Sequence, residues 1–228
     1  MKAPIPPIGP FPPTLFRVFS EIEWAEAFIN SGGLRFRPVQ YFADLGDAVR
    51  ADTTEGYAHL QIPGNVQSAH VDTDGNIVRV TSAPGLINYQ GEFINRVYIS
   101  CFSAPPNNDL RLLPSKFGRF VVQVADPEQL AWDFTNAMTR DGLLRDTPVV
   151  ECHEVVYNKG EPASDEPDHF KRTRLNFTQK PRSFSDEYEW RFAAVDNRLF
   201  DRENWIVADD YYDVLIGKRL SYVTLIKL

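Results

Sequence analysis

The segment SFSDEYEWRF, residues 183–192, alternates aromatic and charged residues as it enters a predicted strand. Alternate side chains of a strand face opposite ways, so the two kinds of residue are expected on opposite faces. The aromatic set is Tyr188, Trp190 and Phe192, and the charged set is Glu187, Glu189 and Arg191. The aromatic face is expected to pack in the core. The charged face is either a solvated surface, with Glu189 loosely paired to Arg191, or a pair of carboxylates aimed at a substrate.

The rest of the chain predicts one domain after a short arm. Residues 1–13 contain six prolines and are expected to form an extended arm, with a single domain over residues 14–228. The sequence contains neither a membrane-spanning run nor a signal-peptide pattern, so we expect a cytoplasmic protein without a membrane partner. Cys101 and Cys152 lack metal-ligand spacing, and no metal is predicted.

Strand patterns outnumber helix patterns and predict an α+β fold. Helices are expected at 20–33, with Ser20 as cap, and at 126–138, with Asp126 as cap. The strand candidates are 15–19, LRFRPVQYF, a hairpin around Asp74-Gly75-Asn76, FINRVYISCF, RFVVQV, EYEWRFAAV and a final hairpin around Gly217-Lys218.

Two further positions carry polar groups where the pattern is apolar. Arg17 lies within LFRVF, where neither strand face is evidently wet, so it is expected to snorkel, meet a carboxylate or hold a ligand anion. VYISCFSAPP is a strand that ends in two hydroxyls, Ser100 and Ser103, which either form a turn or belong to a site.

The order of these features resembles the arginine, serine, glutamate class of ADP-ribosyltransferases. The resemblance implies two packed, mostly antiparallel sheets that form a cleft for NAD. It also implies that Arg17 contacts the dinucleotide phosphates, that Ser100 and Ser103 shape the nicotinamide pocket, that Glu189 binds the ribose hydroxyl and that Glu187 assists the attacking group. SCFS departs from the Ser-Thr-Ser of that class. The chain also looks like an uncharacterised bacterial domain family, a likeness that implies no mechanism.

The resemblance implies NAD as substrate without a metal, and transfer of ADP-ribose to a protein or nucleic-acid acceptor. It further implies a toxin or phage-defence role, in which an antitoxin or other partner protein binds the chain. The chemistry suits two carboxylates, because cleavage of the nicotinamide-ribose bond develops positive charge on the ribose. We expect Arg17 and Glu189 in one concave pocket, within roughly 15 Å of each other.

Two other functions compete with this one. The formal net charge is -7, but residues 169–184 form a basic segment with Phe170 and Phe177 available to stack on bases. This segment predicts a non-enzymatic nucleic-acid or protein-binding module, and its substrate or polyanion contacts are Lys171, Arg172, Arg174 and Lys180. A metal-dependent nuclease built on Asp52, Glu55, Glu187 and Lys180 is a third alternative. Arg50, Asp52 and Glu55 form either a turn network or a site edge.

A substitution distinguishes a solvated strand face from a catalytic one. On the expectation that Glu189 faces away from the core, Glu189→Gln should change stability by no more than about 0.5 kcal/mol. The same substitution should reduce NAD cleavage by on the order of 100-fold.

Overall fold

The computed structural model describes residues 6–44, 57–71, 77–90, 97–113, 115–141, 150–157, 176–195 and 211–226. Within these ranges the chain has an α+β fold. The strands are β1 Leu15–Phe19, β2 Gly33–Pro38, β3 Tyr57–Val71, β4 Ile77–Gln90, β5 Val97–Ser103, β6 Phe120–Val124, β7 Val150–Glu154, β8 Glu189–Val195, β9 Tyr212–Leu215 and β10 Val223–Ile226. The α-helices are α1 Ile22–Ser31, α2 Val39–Asp44 and α3 Pro127–Asp141. The α+β class predicted from the sequence is confirmed.

The strands form one open, antiparallel, eight-stranded sheet and the separate hairpin of β3 and β4. This arrangement differs from two sheets joined only by packing, because hydrogen bonds connect both halves of the large sheet through β5. One edge of β5 pairs with β8 along its whole length, and β8 pairs in turn with β7. Strand β5 therefore lies at the centre of the molecule.

The other edge of β5 is shared by two strands, and this division is called the fork below. At its end, Ser103 is in register with Phe16 of β1, which continues to β6 and β10. Near its start, Ile99 is in register with Arg37 of β2, which continues to β9. The stretch of β5 between Ile99 and Ser103 lies in the fork, where no strand pairs with this edge among the residues described.

The main core covers one face of the sheet and depends on aromatic packing. Phe102 of β5 and Phe192 of β8 meet edge to face, with ring centroids 5.2 Å apart. Phe134 of α3 contacts both Phe192 and Phe36 of β2 through edge-on rings. Phe28 of α1 closes the cluster against Phe102. Such pairs stabilise by about 0.5–1.5 kcal/mol beyond their burial, and they tie the two helices to the central strands.

A smaller cluster covers the opposite face of β5 and β8. It contains Val39, Val97, Ile99, Phe177 and Ala193, with Phe42 and Cys101 packed against it. Residues Ile99 and Ala193 face each other across the ladder. This second layer comes from α2 and from the 3-10 helix Asn176–Thr178, so the face is covered by distant parts of the chain.

The helix limits follow local chemistry, with one cap predicted wrongly. Helix α1 ends at Gly32, whose φ of 64° needs a residue without a β-carbon. Its N-cap is Glu21 without a side-chain cap, in place of the expected Ser20. In α3 the expected cap is confirmed, because Asp126 Oδ1 accepts a hydrogen bond of 3.0 Å from the Gln129 backbone N–H. The extended segment predicted for LRFRPVQYF ends at Pro38, and α2 follows.

The final hairpin predicted around Gly217-Lys218 is wrong. Strand β9 pairs with β2, whereas β10 pairs with β6 at the far edge of the sheet. The end of α1 explains the difference. The Ser31 carbonyl accepts from the Gly217 N–H at 2.8 Å, and the Ile29 carbonyl accepts from the Leu220 N–H at 2.9 Å. The carbonyls at the end of α1 thus hold the segment after β9 by hydrogen bonds, so this segment runs past α1 before β10 begins.

The described part of the proline-rich arm lies against β7. Ile8 forms a parallel bridge with Glu151, through hydrogen bonds of 3.0 and 2.8 Å to Val150 and Cys152. None of the helices in the described ranges is long and apolar enough to cross a membrane.

Candidate functional site

The segment that leads into β8 has a different local structure from the one expected. Residues Arg182–Glu187 form a 3-10 helix, and Tyr188 has a left-handed φ of 45°, so the strand begins only at Glu189. Glu187 therefore does not share a strand face with Glu189 by alternation. Within β8 the predicted faces are confirmed, since Trp190 and Phe192 contact the main core and Arg191 lies on the opposite side.

The charged face is buried, which excludes one of the two alternatives drawn from the sequence, a solvated strand surface. The exposed fractions of Glu187, Glu189 and Arg191 are 3%, 4% and 1%. The second core layer, with Phe177, covers this face. A strand pattern does not reveal such a cover, because the covering residues come from other segments. Burial removes the premise of the small stability change expected for Glu189→Gln, and we now expect a larger one.

Five side chains of alternating charge form a continuous series, called the buried ion chain below. Its members are Lys116, Glu187, Lys180, Glu189 and Arg191. The Glu187 carboxylate lies 2.7 Å from the ammonium of Lys116 and 2.7 Å from that of Lys180. Lys180 Nζ also lies 2.6 Å from Glu189 Oε2, and Arg191 Nε donates to Glu189 Oε1 at 2.7 Å. Removal of one member would leave an uncompensated charge in a buried place.

Glu189 is held as a carboxylate. Burial by itself would raise its pKa, but the charges of Arg191 and Lys180, with hydrogen bonds from Arg191 and Cys101, hold the pKa well below the usual range for Glu. At neutral pH this group is therefore negative and a weak base. A carboxylate in that state is suited to the stabilisation of positive charge rather than to proton abstraction.

Arg17 reaches into the fork. Its Nη1 donates to Ser100 Oγ at 3.2 Å and also to the carbonyl of Cys101. The guanidinium lies 5.4 Å from the ring centroid of Phe102 and 5.7 Å from that of Phe19. Arg17 thus provides a donor to a carbonyl of β5 at the place where β1 and β2 have separated. This arrangement explains why an arginine occupies an otherwise apolar strand.

The electrostatic surroundings connect Arg17 to Glu189. Burial lowers the pKa of Arg17, while the neighbouring Cys101 and the negative charge of Glu189 act in the opposite direction. Glu189 is therefore close enough to act on the guanidinium through its field. Since Nη1 makes both hydrogen bonds of Arg17 within the described structure, Nε–H and the Nη2 protons are available for a ligand.

The two predicted serines lie on different faces of β5. Ser103 is in register with both Phe16 and Glu189, and both serines are buried. By alternation, Ser100 lies on the same face as Phe102, and Ser103 on the same face as Cys101. Only Ser100 has a contact with Arg17. Glu189 is in register with Ser103 and therefore lies on the sheet face opposite Ser100, whereas Arg17 contacts Ser100 from the fork.

The basic segment predicted at 169–184 lies partly outside the described residues, which include neither Lys171, Arg172 nor Arg174. Its described members are occupied within the protein. Lys180 belongs to the buried ion chain, and the ring of Phe177 is 2% exposed in the second core layer, so it cannot stack on a base as expected.

The nuclease alternative also falls largely outside the described part of the chain, together with the alternatives for Arg50, Asp52 and Glu55. Within the ranges that the structure describes, no group of three His, Cys, Asp or Glu side chains is arranged to hold a metal ion.

Three side chains of the site have no signal in the sequence. Lys116 comes from the 3-10 helix Ser115–Phe117 and contacts Glu187 across the fold. The hydroxyl of Tyr157 accepts the backbone N–H of Glu189 at 2.8 Å, and burial raises the pKa of Tyr157. Burial and the charge of Glu189 raise the pKa of Cys101, which therefore remains a thiol. The SCFS motif indicates Cys101 only as a departure from Ser-Thr-Ser.

An apolar groove occupies another part of the molecule. Its walls come mainly from β1, β6 and β10, and they include Val18, Val121 and Leu225. Among the described residues that line it, Arg119 is the only charged one and none is a carboxylate. The groove therefore lacks the charged groups found at the fork and on the adjoining strand β8, and this second region is the candidate site.

No protein-family model, no curated protein and no solved structure matches the chain.

Proposed function

We propose that the chain is an NAD-dependent ADP-ribosyltransferase whose site comprises the fork of β1 and β2 on β5 and the adjoining strand β8. The observation that carries the proposal is the contact of Arg17 with Ser100 of β5, the strand whose other edge pairs with β8 and its ionised Glu189. These residues are far apart in the sequence, and the antiparallel pairing of three strands places them on neighbouring strands, where the charge of Glu189 acts on Arg17. An anion-binding arginine beside an ionised carboxylate matches the two charged ends of the reaction, the phosphates and the ribose.

The proposed reaction breaks the bond between the nicotinamide nitrogen and C1′ of the ribose. The bonding electron pair leaves with nicotinamide, which becomes neutral, and positive charge develops on the ribose. A hydroxyl, amine or ring nitrogen of the acceptor then forms the new bond to C1′ and loses its proton. A fixed carboxylate close to C1′ lowers the barrier because it already points at the developing charge.

Because its pKa is low, Glu189 is proposed to stabilise the positive charge that develops on the ribose. Arg191 and Lys180 occupy one direction of approach to each of its oxygens. A carboxylate has about four lone-pair directions, so Glu189 can still accept a ribose hydroxyl. Its backbone is anchored by Tyr157, and the orientation is therefore set before the substrate arrives.

Glu187 is proposed to accept the proton of the incoming acceptor group. Its two oxygens lie against two lysines, and the 3-10 helix Arg182–Glu187 brings it to Lys180 beside Glu189. Lys180 is the shared partner of both carboxylates. It keeps the two negative charges together at one place, which direct repulsion would otherwise oppose.

Arg17 is proposed to bind a phosphate of NAD through Nε–H and the Nη2 protons. Ser100 and the Cys101 carbonyl fix the guanidinium through Nη1. The planar array of donors of its guanidinium suits phosphate oxygens.

The proposal includes a cytoplasmic location, where the free thiols of Cys101 and Cys152 remain reduced. It also includes a toxin or phage-defence role, with an antitoxin as partner.

The first experiment measures nicotinamide release from NAD by the wild-type protein, with and without cell extract, together with label transferred from adenylate-labelled NAD. We expect release that depends on the protein, and label in an acceptor from the extract. Glu187→Gln should reduce release by on the order of 100-fold. The matched control is Glu154→Gln, the same change at an exposed carboxylate on the neighbouring strand β7, which should retain full activity.

A binding measurement keeps the test decisive if the Glu187 variant fails to fold. NAD that binds only the native state raises the melting temperature, by an amount set by its concentration relative to Kd. The wild-type protein should show this rise, and Arg17→Lys should show less of it. A wild-type protein that neither releases nicotinamide nor gains stability from NAD would overturn the proposal.

A further inference from the structure

The exposed face of β2 carries alternating arginines and tyrosines in contact with one another. The guanidinium of Arg35 lies 3.9 Å from the ring centroid of Tyr211, and that of Arg37 lies 3.9 Å from Tyr41 and 5.6 Å from Tyr211. The order across the surface is thus Tyr41, Arg37, Tyr211, Arg35. We call these four side chains the arginine-tyrosine stack.

The sequence of β2 explains why both arginines are on the outside. Leu34 and Phe36 are buried in the main core, so strand alternation directs Arg35 and Arg37 to the opposite face. Tyr211 precedes β9, the strand that pairs with β2, and 43% of its surface is exposed. The stack is therefore at the surface rather than in the interior.

Asp213 fixes Arg35 without enclosing it. The carboxylate accepts from Arg35 Nε at 2.7 Å and from Nη2 at 2.8 Å. The side chain of Arg35 remains 44% exposed, and Nη1 is left for another partner. For Arg37 the described structure gives two tyrosine contacts and no carboxylate within ion-pair distance. The guanidinium of Arg35 is thus held in place while its Nη1 makes no hydrogen bond to another described residue.

The stack lies on the same sheet face as Glu189. Arg37 is in register with Ile99, and Ile99 is in register with Ala193. Glu189 is four residues before Ala193 on the same face of β8. Two strand spacings and four residues of rise give a separation of roughly 16 Å between the backbones of Arg37 and Glu189.

We propose that the arginine-tyrosine stack binds single-stranded nucleic acid. Unpaired bases stack on aromatic rings and on guanidinium planes, and arginine donors bind the phosphates between them. Both kinds of group alternate here in one row, in which Arg35 and Tyr211 are exposed and Arg37 and Tyr41 are half-buried. A duplex keeps its base faces stacked inside the helix, so it offers none of them to such a row. Single strands are therefore the class of partner that fits.

The proposal does not depend on NAD chemistry. It concerns β2, β9 and α2, whereas the proposed transfer reaction concerns the fork. A failure of nicotinamide release would leave the stack untouched, and a failure of binding here would leave the transferase proposal standing. The acidic net charge of -7 does not exclude local binding, because exposed charges farther than about 10 Å are largely screened at physiological salt.

The test measures fluorescence anisotropy of labelled single-stranded DNA and RNA of mixed sequence, each about 15 nucleotides long, at about 50 mM salt. The competitors are the same DNA as a duplex, inorganic polyphosphate and poly-L-glutamate. We expect the single strands to bind at least tenfold more tightly than each competitor, because only they offer free base faces.

Substitutions separate stacking from charge. Arg37→Ala and Tyr211→Ala should each weaken binding by about tenfold, and Arg37→Ala should also lower the slope of log affinity against log salt by about 0.7. Arg37→Lys keeps the charge but loses the planar group, so it should weaken binding with the slope unchanged. Arg119→Ala is the matched control, an exposed arginine 5.0 Å from the ring of Phe120, and it should bind as the wild type does.

Several results would overturn the proposal. One such result is the absence of any anisotropy change when wild-type protein is added to either single strand. Another is equal competition by polyphosphate, which would reduce the stack to a simple cationic patch. Equal competition by poly-L-glutamate would assign the surface to acidic polypeptides instead. Wild-type affinity in both Arg37→Ala and Arg35→Ala, with native circular dichroism spectra, would remove the stack from the binding surface.

Discussion

Two arginine-carboxylate pairs on one face of the sheet have the same Nε–O distance and different surroundings. Arg191 Nε lies 2.7 Å from Glu189 Oε1, with exposed fractions of 1% and 4%. Arg35 Nε lies 2.7 Å from Asp213 Oδ1, with exposed fractions of 44% and 58%. The first pair belongs to the buried ion chain, and the second belongs to the arginine-tyrosine stack. Distance alone therefore does not distinguish them.

The two pairs differ in their exposure to water. A buried pair has lost its hydration, so each charge depends on its partner, and loss of one leaves the other without compensation. An exposed pair exchanges its partner for water at little cost. The buried ion chain is thus expected to act as a rigid unit that holds two carboxylates in one orientation. The stack is expected to remain open to a ligand.

The largest effect should come from Glu189→Gln. The amide keeps the size of the side chain but leaves Lys180 and Arg191 with less compensation in a buried place. We expect the free energy of unfolding to fall by about 3 kcal/mol, measured by urea denaturation at pH 7. A decrease below about 0.5 kcal/mol would mean that water reaches the chain and that the comparison between the two pairs does not hold.

A pH series measures the same coupling without a change of sequence. The folded pKa of Glu189 is depressed, so its contribution to stability is fully present above the unfolded pKa of about 4.3. That contribution is lost as the pH falls toward the folded pKa, because the unfolded state takes up the proton first. Unfolding free energies between about pH 6 and pH 3 should therefore fall more steeply for the wild type than for Glu189→Gln. Parallel curves would contradict the depressed pKa.

A smaller loss is expected for Arg17→Met. Methionine fills the apolar surroundings near Phe19 and Phe102 but donates no hydrogen bond, so the Cys101 carbonyl and Ser100 hydroxyl lose their partner. A buried polar group left without a partner costs about 1–3 kcal/mol, and we expect about 2 kcal/mol by urea denaturation. Arg119→Met is the control and should be close to neutral. Equal unfolding free energies of the wild type and Arg17→Met would show that water hydrogen-bonds to the Cys101 carbonyl and the Ser100 hydroxyl as well as Arg17 does.

Local patterns in the sequence were sufficient for most of the elements. Alternation correctly placed Trp190 and Phe192 opposite Arg191, and Pro127 after Asp126 correctly located the start of α3. The hairpin of β3 and β4 was predicted from its turn residues and is confirmed by the pairing of the two strands. These predictions succeed because the deciding interactions are within a few residues of one another.

Predictions failed where a distant segment decides the outcome. The solvent exposure of Glu189 depends on Phe177 and Lys180, which the tertiary fold places over it. The path after Gly217 depends on the carbonyls at the end of α1. The arginine-tyrosine stack was missed for the same reason. LRFRP indicates that Arg35 and Arg37 share a face, but nothing in sequence separation indicates that Tyr211 lies beside them.

The smallest effect should be that of Asp213→Asn, the exposed counterpart of the Glu189 substitution. The change removes the partner of Arg35, but both side chains are more than one third exposed, so water replaces the lost contact. We expect a decrease of less than about 0.5 kcal/mol in the free energy of unfolding at low salt. High salt should abolish even this difference, because it screens the exposed pair but not the buried one. Urea denaturation of wild type, Asp213→Asn and Glu189→Gln at low and high salt provides the measurement. A salt-independent loss of more than about 1 kcal/mol for Asp213→Asn would show that the stack is a structural unit, with Arg35 held too firmly to adjust to a nucleic-acid strand.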